Sequence, residues 1–169
     1  MLLPMNPPAK LSDLIDLLLM DSPEHDRRFD RQTGKMISVE HSILSAVEEG
    51  RIDQLTDLPD WQKKEVEIAW ALCEDAGERF LRPPNKFDFH EYHQMERFIG
   101  TLSYESAVDQ LWRAIKGKGA FRYFKDTLHR LGIQDEWYRY RDAAMKKIVI
   151  EWAEANNVLY EDDTAGRRF

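Results

Sequence analysis

Apolar residues along this chain recur mostly at intervals of three and four positions, the spacing that places side chains on one face of a helix. The pattern predicts helices over residues 13–20, 41–49, 61–81, 88–102, 104–116, 119–131 and 135–156. Short polar side chains precede several of these segments, and such side chains cap the free amides of a first helical turn. The expected caps are Ser12, Asp60, Asp88 and Ser103.

One early stretch has the pattern of a β-hairpin instead. Arg28–Arg31 and Lys35–Val39 flank Gln32-Thr33-Gly34, and a glycine in a short loop can take the left-handed conformation that a hairpin needs. Two strands are marginally stable alone, so they must pack against helices. The predicted fold is therefore mainly α, a compact helical bundle with a small two-stranded β-hairpin near the amino terminus.

The apolar pattern also indicates how the chain is divided. Residues 1–10 are expected to form a flexible amino-terminal arm, and residues 159–169 a flexible tail. Between them we expect one globular domain over residues 11–158, since this length can bury a sizeable core. Within it, residues 11–60 form a helix-plus-hairpin subdomain and residues 61–158 the helical core.

Composition excludes several classes of protein. The single cysteine, Cys73, rules out an intramolecular disulfide and a cysteine-based zinc site, and suits a reducing cytosol. We expect Cys73 to be a small buried apolar side chain. No apolar run approaches the length of a membrane span, and the start lacks the basic region of a secretion signal. These features predict a soluble cytoplasmic protein without membrane contact.

Charge is distributed unevenly along the chain. The net charge is −7, but residues 112–150 carry 10 bases and 4 acids, while residues 1–111 carry 12 bases and 22 acids. A basic segment can bind an anion locally, whereas the field of an acidic protein opposes a polyanion at long range. Nucleic acid is therefore an unlikely partner.

The basic segment contains the most distinctive stretch of the chain, in which two glycines separate two helices and bases follow at once. A helix start offers unpaired amides and a partial positive charge, and glycines let a ligand approach the backbone. The candidate anion-binding residues are Lys116, Gly117, Lys118, Gly119, Arg122, Lys125 and His129. A phosphate or carboxylate of a small or phosphorylated ligand is the chemistry that such residues bind.

A structural interpretation of the same stretch is the one that we favour. The glycines would form a tight turn between helices, Phe121, Phe124 and Leu128 would enter the core, and Arg122 would pair with Asp126 four residues later. Docking of a protein partner and contact with nucleic acid remain as further alternatives. The spacing matches neither a phosphate-binding P-loop nor a dinucleotide fingerprint.

No pattern in the chain predicts catalysis. His90 and His93 lie three residues apart beside Glu91 and Glu96, but no third metal ligand is identifiable, and exposed or capping histidines are the better interpretation. The charged residues over 24–31 also lack a ligand spacing. We predict no catalytic residue, no metal and no cofactor. The expected function is non-enzymatic binding or regulation, and the alternative is a small phosphate-ligand or nucleotide-binding enzyme or sensor.

Several motifs together resemble one protein family. They are Leu11–Asp16, Asp30–Lys35, Lys86–Tyr92, Gly117–Asp126, Trp137-Tyr138, Arg141-Asp142 and Ile150–Trp152. In this order they are similar to the bacterial uncharacterised protein family (UPF) 0158, over about residues 10–158. The resemblance implies a bacterial origin and a cytoplasmic location. It supplies no activity and no catalytic residues.

Overall fold

The computed structural model describes residues 6–20, 22–51 and 57–169. In chain order the elements are β1 (Ala9–Lys10), α1 (Leu11–Leu19), β2 (His25–Asp30), β3 (Lys35–Glu40), α2 (His41–Glu48), α3 (Asp60–Glu74), β4 (Phe80–Leu81), α4 (Lys86–Phe89), α5 (Glu91–Thr101), α6 (Glu105–Ala114), α7 (Ala120–Leu131), α8 (Gln134–Ala155) and β5 (Tyr160–Glu161). The fold is mainly helical, as the apolar spacing predicts.

The strands form two small sheets rather than a single hairpin. β2 and β3 pair antiparallel from His25 opposite Glu40 to Asp30 opposite Lys35, which confirms the predicted hairpin. However, β4 pairs with the other edge of β2, and β1 pairs parallel with β5 far along the chain. The prediction of two strands was incomplete because two-residue strands are too short to carry an alternating pattern.

The predicted helix over residues 61–81 is wrong beyond Glu74. There the Asp75 carboxylate accepts hydrogen bonds from the backbone amides of Arg79 (3.1 Å) and Phe80 (3.0 Å), which turns the chain into β4. The expected buried position of Cys73 is also wrong, since this residue is exposed. Ala69 instead lies at the centre of the α2–α3 contact.

The first turn of α1 is hydrogen-bonded by a residue of the tail, and not by the predicted cap residue. Ser12 lies inside the helix, where its amide and hydroxyl donate to the Asp163 carboxylate at 2.9 and 2.5 Å. Burial alone would raise the pKa of Asp163, but the two bonds from Ser12 outweigh it and lower the pKa. The tail is held further by an ion pair of 2.5 Å between Asp162 and Lys146.

The amino-terminal arm is only partly described, because residues 1–5 lie outside the described residues. Of the rest, Ala9 is buried, and its amide donates to the carbonyl of Leu159 at 2.8 Å, beside the β1–β5 pairing. This segment and the tail therefore meet in one small sheet.

The predicted caps of three later helices differ from those observed. The cap position of α3 is Pro59, one residue before the predicted Asp60. Asn85, not Asp88, caps the chain at this point: its side chain accepts from the amides of Phe87 and Asp88, while Asp88 accepts from the amide of Asn85. This reciprocal pair forms the short helix α4, and α5 follows as a separate helix. The cap position of α6 is Tyr104, one residue beyond the predicted Ser103.

Helix α8 is the shared wall of two apolar cores. Its first turn places Trp137 in a cluster of aromatic rings, 5.0 Å from Phe124 and 5.3 Å from Phe98 between centroids. Its second half buries Met145 and Val149 against α1, β2 and α4. No helix in the described part of the chain is both long and apolar enough to cross a membrane.

A buried carboxylate fixes the hairpin to the rest of the fold. Asp30 is only 2% exposed, and Arg79 donates two hydrogen bonds of 2.8 Å to its two oxygens. The amide of Gln32 and the hydroxyl of Thr33 donate to the same carboxylate, each at 2.9 Å. A buried carboxylate is stable only when its lone pairs are satisfied, as they are here. Asp30 therefore holds the hairpin turn and β4 together.

We expect the substitution Asp30→Asn to lower the free energy of unfolding by about 2 kcal/mol, because the amide cannot accept all four bonds. Urea unfolding at neutral pH measures this loss. The matched control is Asp60→Asn, since the Asp60 side chain is 95% exposed and pairs with the exposed Lys63. An exposed pair contributes less than about 1 kcal/mol, so the control should unfold almost like the parent.

The loss of unfolding free energy in Asp30→Asn should also depend on pH. Burial acts to raise the pKa of Asp30, but the bonds from Arg79 and the turn outweigh it and lower the pKa. A carboxyl with a lowered folded-state pKa stabilises the fold above its unfolded pKa of about 4, and this contribution disappears as the pH falls. The difference between parent and Asp30→Asn should therefore shrink in acid. A difference that stays constant would contradict this account.

Candidate functional site

The glycine pair between α6 and α7 has the geometry that its sequence predicts. Gly117 and Gly119 have φ angles of 82° and 80°, in the left-handed region that favours glycine. A Cβ atom on Gly119 would also lie 3.0 Å from the ring of Tyr123. Gly119 is the cap residue of α7, and no side chain caps the amides of the first turn. These amides are free to meet a ligand or water.

The predicted bases surround this helix start but do not enclose a ligand. Lys116, Lys118, Arg122, Lys125 and His129 are all exposed. The Arg122 guanidinium lies 3.8 Å from Asp126 in a solvated pair, and His129 contacts Gln134 at 2.7 Å. The best-formed concavities among the described residues are lined by other side chains. The geometry thus fits a helix-to-helix turn with a basic outer surface.

The core-facing side of α7 differs from the prediction at one residue. Phe121 is 46% exposed, whereas Phe124 and Leu128 are buried as expected, together with Thr127. Phe121 and Leu128 are seven residues apart and lie within about 20° of each other around the helix, so the direction of the side chain does not explain the exposure of Phe121. Phe121 is exposed in the first turn of α7, beside the exposed bases.

A groove between two helices is the more enclosed candidate site. It has a volume of about 500 Å³ and lies where α4 and α5 pack against α8. Its walls are formed by Asp88, Phe89, His90, His93, Gln94 and Arg97 on one side and by Tyr140, Ala143, Ala144, Lys147, Ile148 and Glu151 on the other. On each helix these residues recur at intervals of three and four, so each wall is one helical face. We call it the histidine groove.

The two histidines of the groove are stacked on each other. Their rings lie 3.7 Å apart between centroids and 8° from parallel. His90 joins α4 to α5 with φ 48° and ψ 66°, a left-handed conformation that is costly for a residue with a Cβ atom. Glycine would adopt this conformation without strain. A histidine at this position therefore strains the backbone, and what it provides is a side chain in the groove.

The charged groups of the groove differ in whether they have a hydrogen-bond or ion-pair partner. Asp88 accepts the Asn85 amide at 2.8 Å, and Glu151 lies 3.8 Å from the ammonium group of Lys147. By contrast, the guanidinium of Arg97 has no hydrogen-bond or ion-pair partner among the residues that the structure describes. The groove therefore offers an unused cation and two imidazoles, while its acids already have partners.

The floor of the groove is apolar and firmly held. Phe89 is 4% exposed, and its carbonyl accepts a hydrogen bond of 3.1 Å from the buried side chain of Gln94. Ala143 and Ala144 give the α8 wall its depth because they have the smallest side chains there. A few polar groups around an apolar floor are the usual composition of a small-molecule site.

The groove does not gather a set of metal ligands. Across residues 6–20, 22–51 and 57–169, no group of three or more His, Cys, Asp or Glu side chains is placed to hold a metal ion. The His93 ring lies 4.0 Å from Glu96, which does not line the groove. In the described part of the chain, the stacked histidine pair therefore has no third ligand of these types placed to share a metal ion with it.

Comparison with protein families gives one match. The model of the Uncharacterised protein family (UPF0158) matches residues 6–164. The chain belongs to this family. The match extends the resemblance expected from the sequence motifs at both ends. No curated protein and no solved structure matches the UPF0158 chain.

Sequence reasoning identified His90 and His93 in this UPF0158 chain but did not recognise the site they belong to. The faces of α5 and α8 can be read from their periodicity, including the two alanines of α8. The sequence does not indicate that these two faces oppose each other. The sequence also does not reveal the left-handed turn at His90, because the helix predicted from Asp88 onward includes this residue.

The positive φ angle at His90 predicts how alanine and glycine substitutions at this position differ in stability. Because φ is positive there, we expect His90→Ala to be less stable than His90→Gly by about 1 kcal/mol. At His93, inside α5, the order should reverse, since glycine costs up to about 1 kcal/mol more than alanine in a regular helix. Urea unfolding of the four variants measures both differences. The same order at both positions would contradict the left-handed turn.

Proposed function

We propose that this protein is a non-enzymatic binding protein that holds a small ligand in the histidine groove. The proposal includes the bacterial cytoplasm as its location, supported by the family resemblance and by the lone cysteine. Binding can serve regulation if the ligand stabilises one arrangement of α5 against α8.

One observation carries the proposal: the groove combines an apolar floor with polar groups that have no other role in the fold. Phe89 and Ile148 provide apolar surface, while Arg97 and the His90–His93 pair provide donors. Polar groups that stabilise a fold usually have partners, and the acids of the groove do. The unpartnered guanidinium of Arg97 is therefore available for a ligand.

Binding is favoured over catalysis by the state of the groups in the groove. A general base needs a nucleophile or a substrate proton within hydrogen-bond reach, and it is usually oriented by a third group. The two groove carboxylates are engaged in a cap and in a helical ion pair, and no serine, threonine or cysteine lines the walls. The groups that remain suit recognition.

The proposal predicts that filling the groove abolishes ligand binding. Ala143 is exposed on the α8 wall, so Ala143→Trp should occupy the groove without disturbing the core. The probes are organic acids, nucleotides and phosphorylated metabolites at millimolar concentration, measured by thermal shift. A ligand at ten times its Kd adds about 1.4 kcal/mol, which raises Tm by roughly 3–6 °C.

The matched control is Ala155→Trp, an exposed alanine at the end of the same helix and outside the groove. The parent and Ala155→Trp should show the same ligand-induced shift, and Ala143→Trp should show none. Equal shifts in all three proteins would place the ligand elsewhere. If no compound shifts the parent, the proposed function is wrong.

A second candidate is anion binding at the start of α7, by Lys116, Lys118, Arg122 and Lys125 with the backbone of Gly117 and Gly119. The observation that favours it is the uncapped first turn of α7 beside exposed bases. Lys116, Lys118 and Lys125 have no partner among the described side chains. A small anion or phosphorylated ligand, or an acidic surface of a protein partner, fits this exposed arrangement better than an enclosed metabolite.

Lys118→Glu tests this candidate, since it reverses a charge on an exposed side chain and leaves the histidine groove intact. If an anion binds at α7, its thermal shift should be lost in Lys118→Glu and kept in Ala143→Trp. The opposite result assigns the ligand to the groove. Nucleic acid would show a steep dependence of affinity on salt concentration, which neither candidate requires.

A further inference from the structure

The chemistry of the histidine groove specifies what kind of ligand it takes. The charged and titratable groups that line it are Asp88, His90, His93, Arg97, Tyr140, Lys147 and Glu151, and Glu96 lies 4.0 Å from the His93 ring outside the groove. The Asp88 carboxylate accepts the Asn85 amide in the α4 cap, and Lys147 and Glu151 face each other at 3.8 Å. Arg97 and the two imidazoles are the donors that neither of these groove carboxylates engages in the described structure.

These three groups lie along one face of α5 and the turn before it. His90, His93 and Arg97 are spaced by three and four residues, so they follow one another along the groove. Guanidinium and imidazolium groups donate charge-assisted hydrogen bonds to carboxylate, phosphate and sulfonate oxygens. The apolar floor beside them, formed by Phe89, Ala144 and Ile148, suits a flat or aliphatic body.

We propose, on the basis of the function proposed above, that the groove binds a small organic acid. Its anionic group lies against His90, His93 and Arg97, and its apolar body lies on the floor between α4 and α8. The ligand class is thus an acid with one anionic group joined to a planar or aliphatic portion. A carboxylate and a phosphate share this chemistry.

The test is isothermal titration of the full chain with benzenesulfonate at neutral pH. Benzoate and phenyl phosphate compare the anionic groups, and benzyl alcohol is the neutral counterpart. We expect saturable binding of the three anionic compounds. Benzyl alcohol should bind at least about tenfold more weakly, as loss of a charge-assisted contact requires.

The variants locate the effect. His93→Ala should bind benzenesulfonate at least about tenfold more weakly, since it loses a charge-assisted contact. His129→Ala, which changes an exposed histidine on α7, should bind it like the parent. His90→Asn provides a second variant, since asparagine tolerates the left-handed conformation of this turn. Circular dichroism and thermal unfolding establish that each variant is folded.

Three results would overturn the inference in distinguishable ways. If benzenesulfonate binds with an affinity that His93→Ala does not change, the anion assignment is wrong but ligand binding stands. If only neutral compounds bind in an Ala143-dependent manner, the groove is a site for another class of ligand. If no compound of any kind binds, both the inference and the proposed function are wrong.

Discussion

The buried carboxylate of Asp30 connects the parts of this fold that define the groove. It accepts bonds from the hairpin turn and from Arg79, so it joins β2 to the short strand β4. From β4 the chain runs directly to α4, and on this path the carbonyl of Arg82 accepts a hydrogen bond of 2.8 Å from the indole of Trp152 on α8. The Asn85 cap and the left-handed turn at His90 follow within a few residues. The buried charge thus fixes β4, and the chain that leaves β4 is bonded to α8 before it enters α4 and α5.

Long helices and the hairpin follow from local patterns, and these could be predicted. The turn at Gly117 and Gly119 could be predicted too, because glycine has a specific role in left-handed backbone. The failures occur where a specific side-chain contact, rather than apolar periodicity, decides the local structure. Asp75 ends α3 by accepting the amides of Arg79 and Phe80, and Asp163 reaches from the tail to Ser12. Neither contact has a signal in local periodicity.

The difference between local patterns and contacts formed on folding also applies to the two candidate sites. Charge and glycine content directed attention to α7, where the bases are exposed around a turn between two helices. The histidine groove depends on the opposition of α5 and α8, which is held by contacts distant in sequence. Among them are the bond of 3.2 Å from Arg141 to Glu91 and the packing of Phe98 on Trp137. Opposed helical faces, unlike a motif, are visible only after folding. The anion chemistry inferred first for α7 is available in the groove with an apolar floor beside it.

The central claim is that ligand binding occurs in the groove between α5 and α8. The most direct test is a chemical-shift map of the ¹⁵N-labelled protein titrated with a small aromatic acid such as benzenesulfonate. The account predicts that the largest shifts arise at His90, His93, Arg97 and Ala143, with the signals of Lys116 to Lys125 nearly unchanged. Largest shifts over Lys116 to Lys125, or no saturable shifts at all, would contradict it.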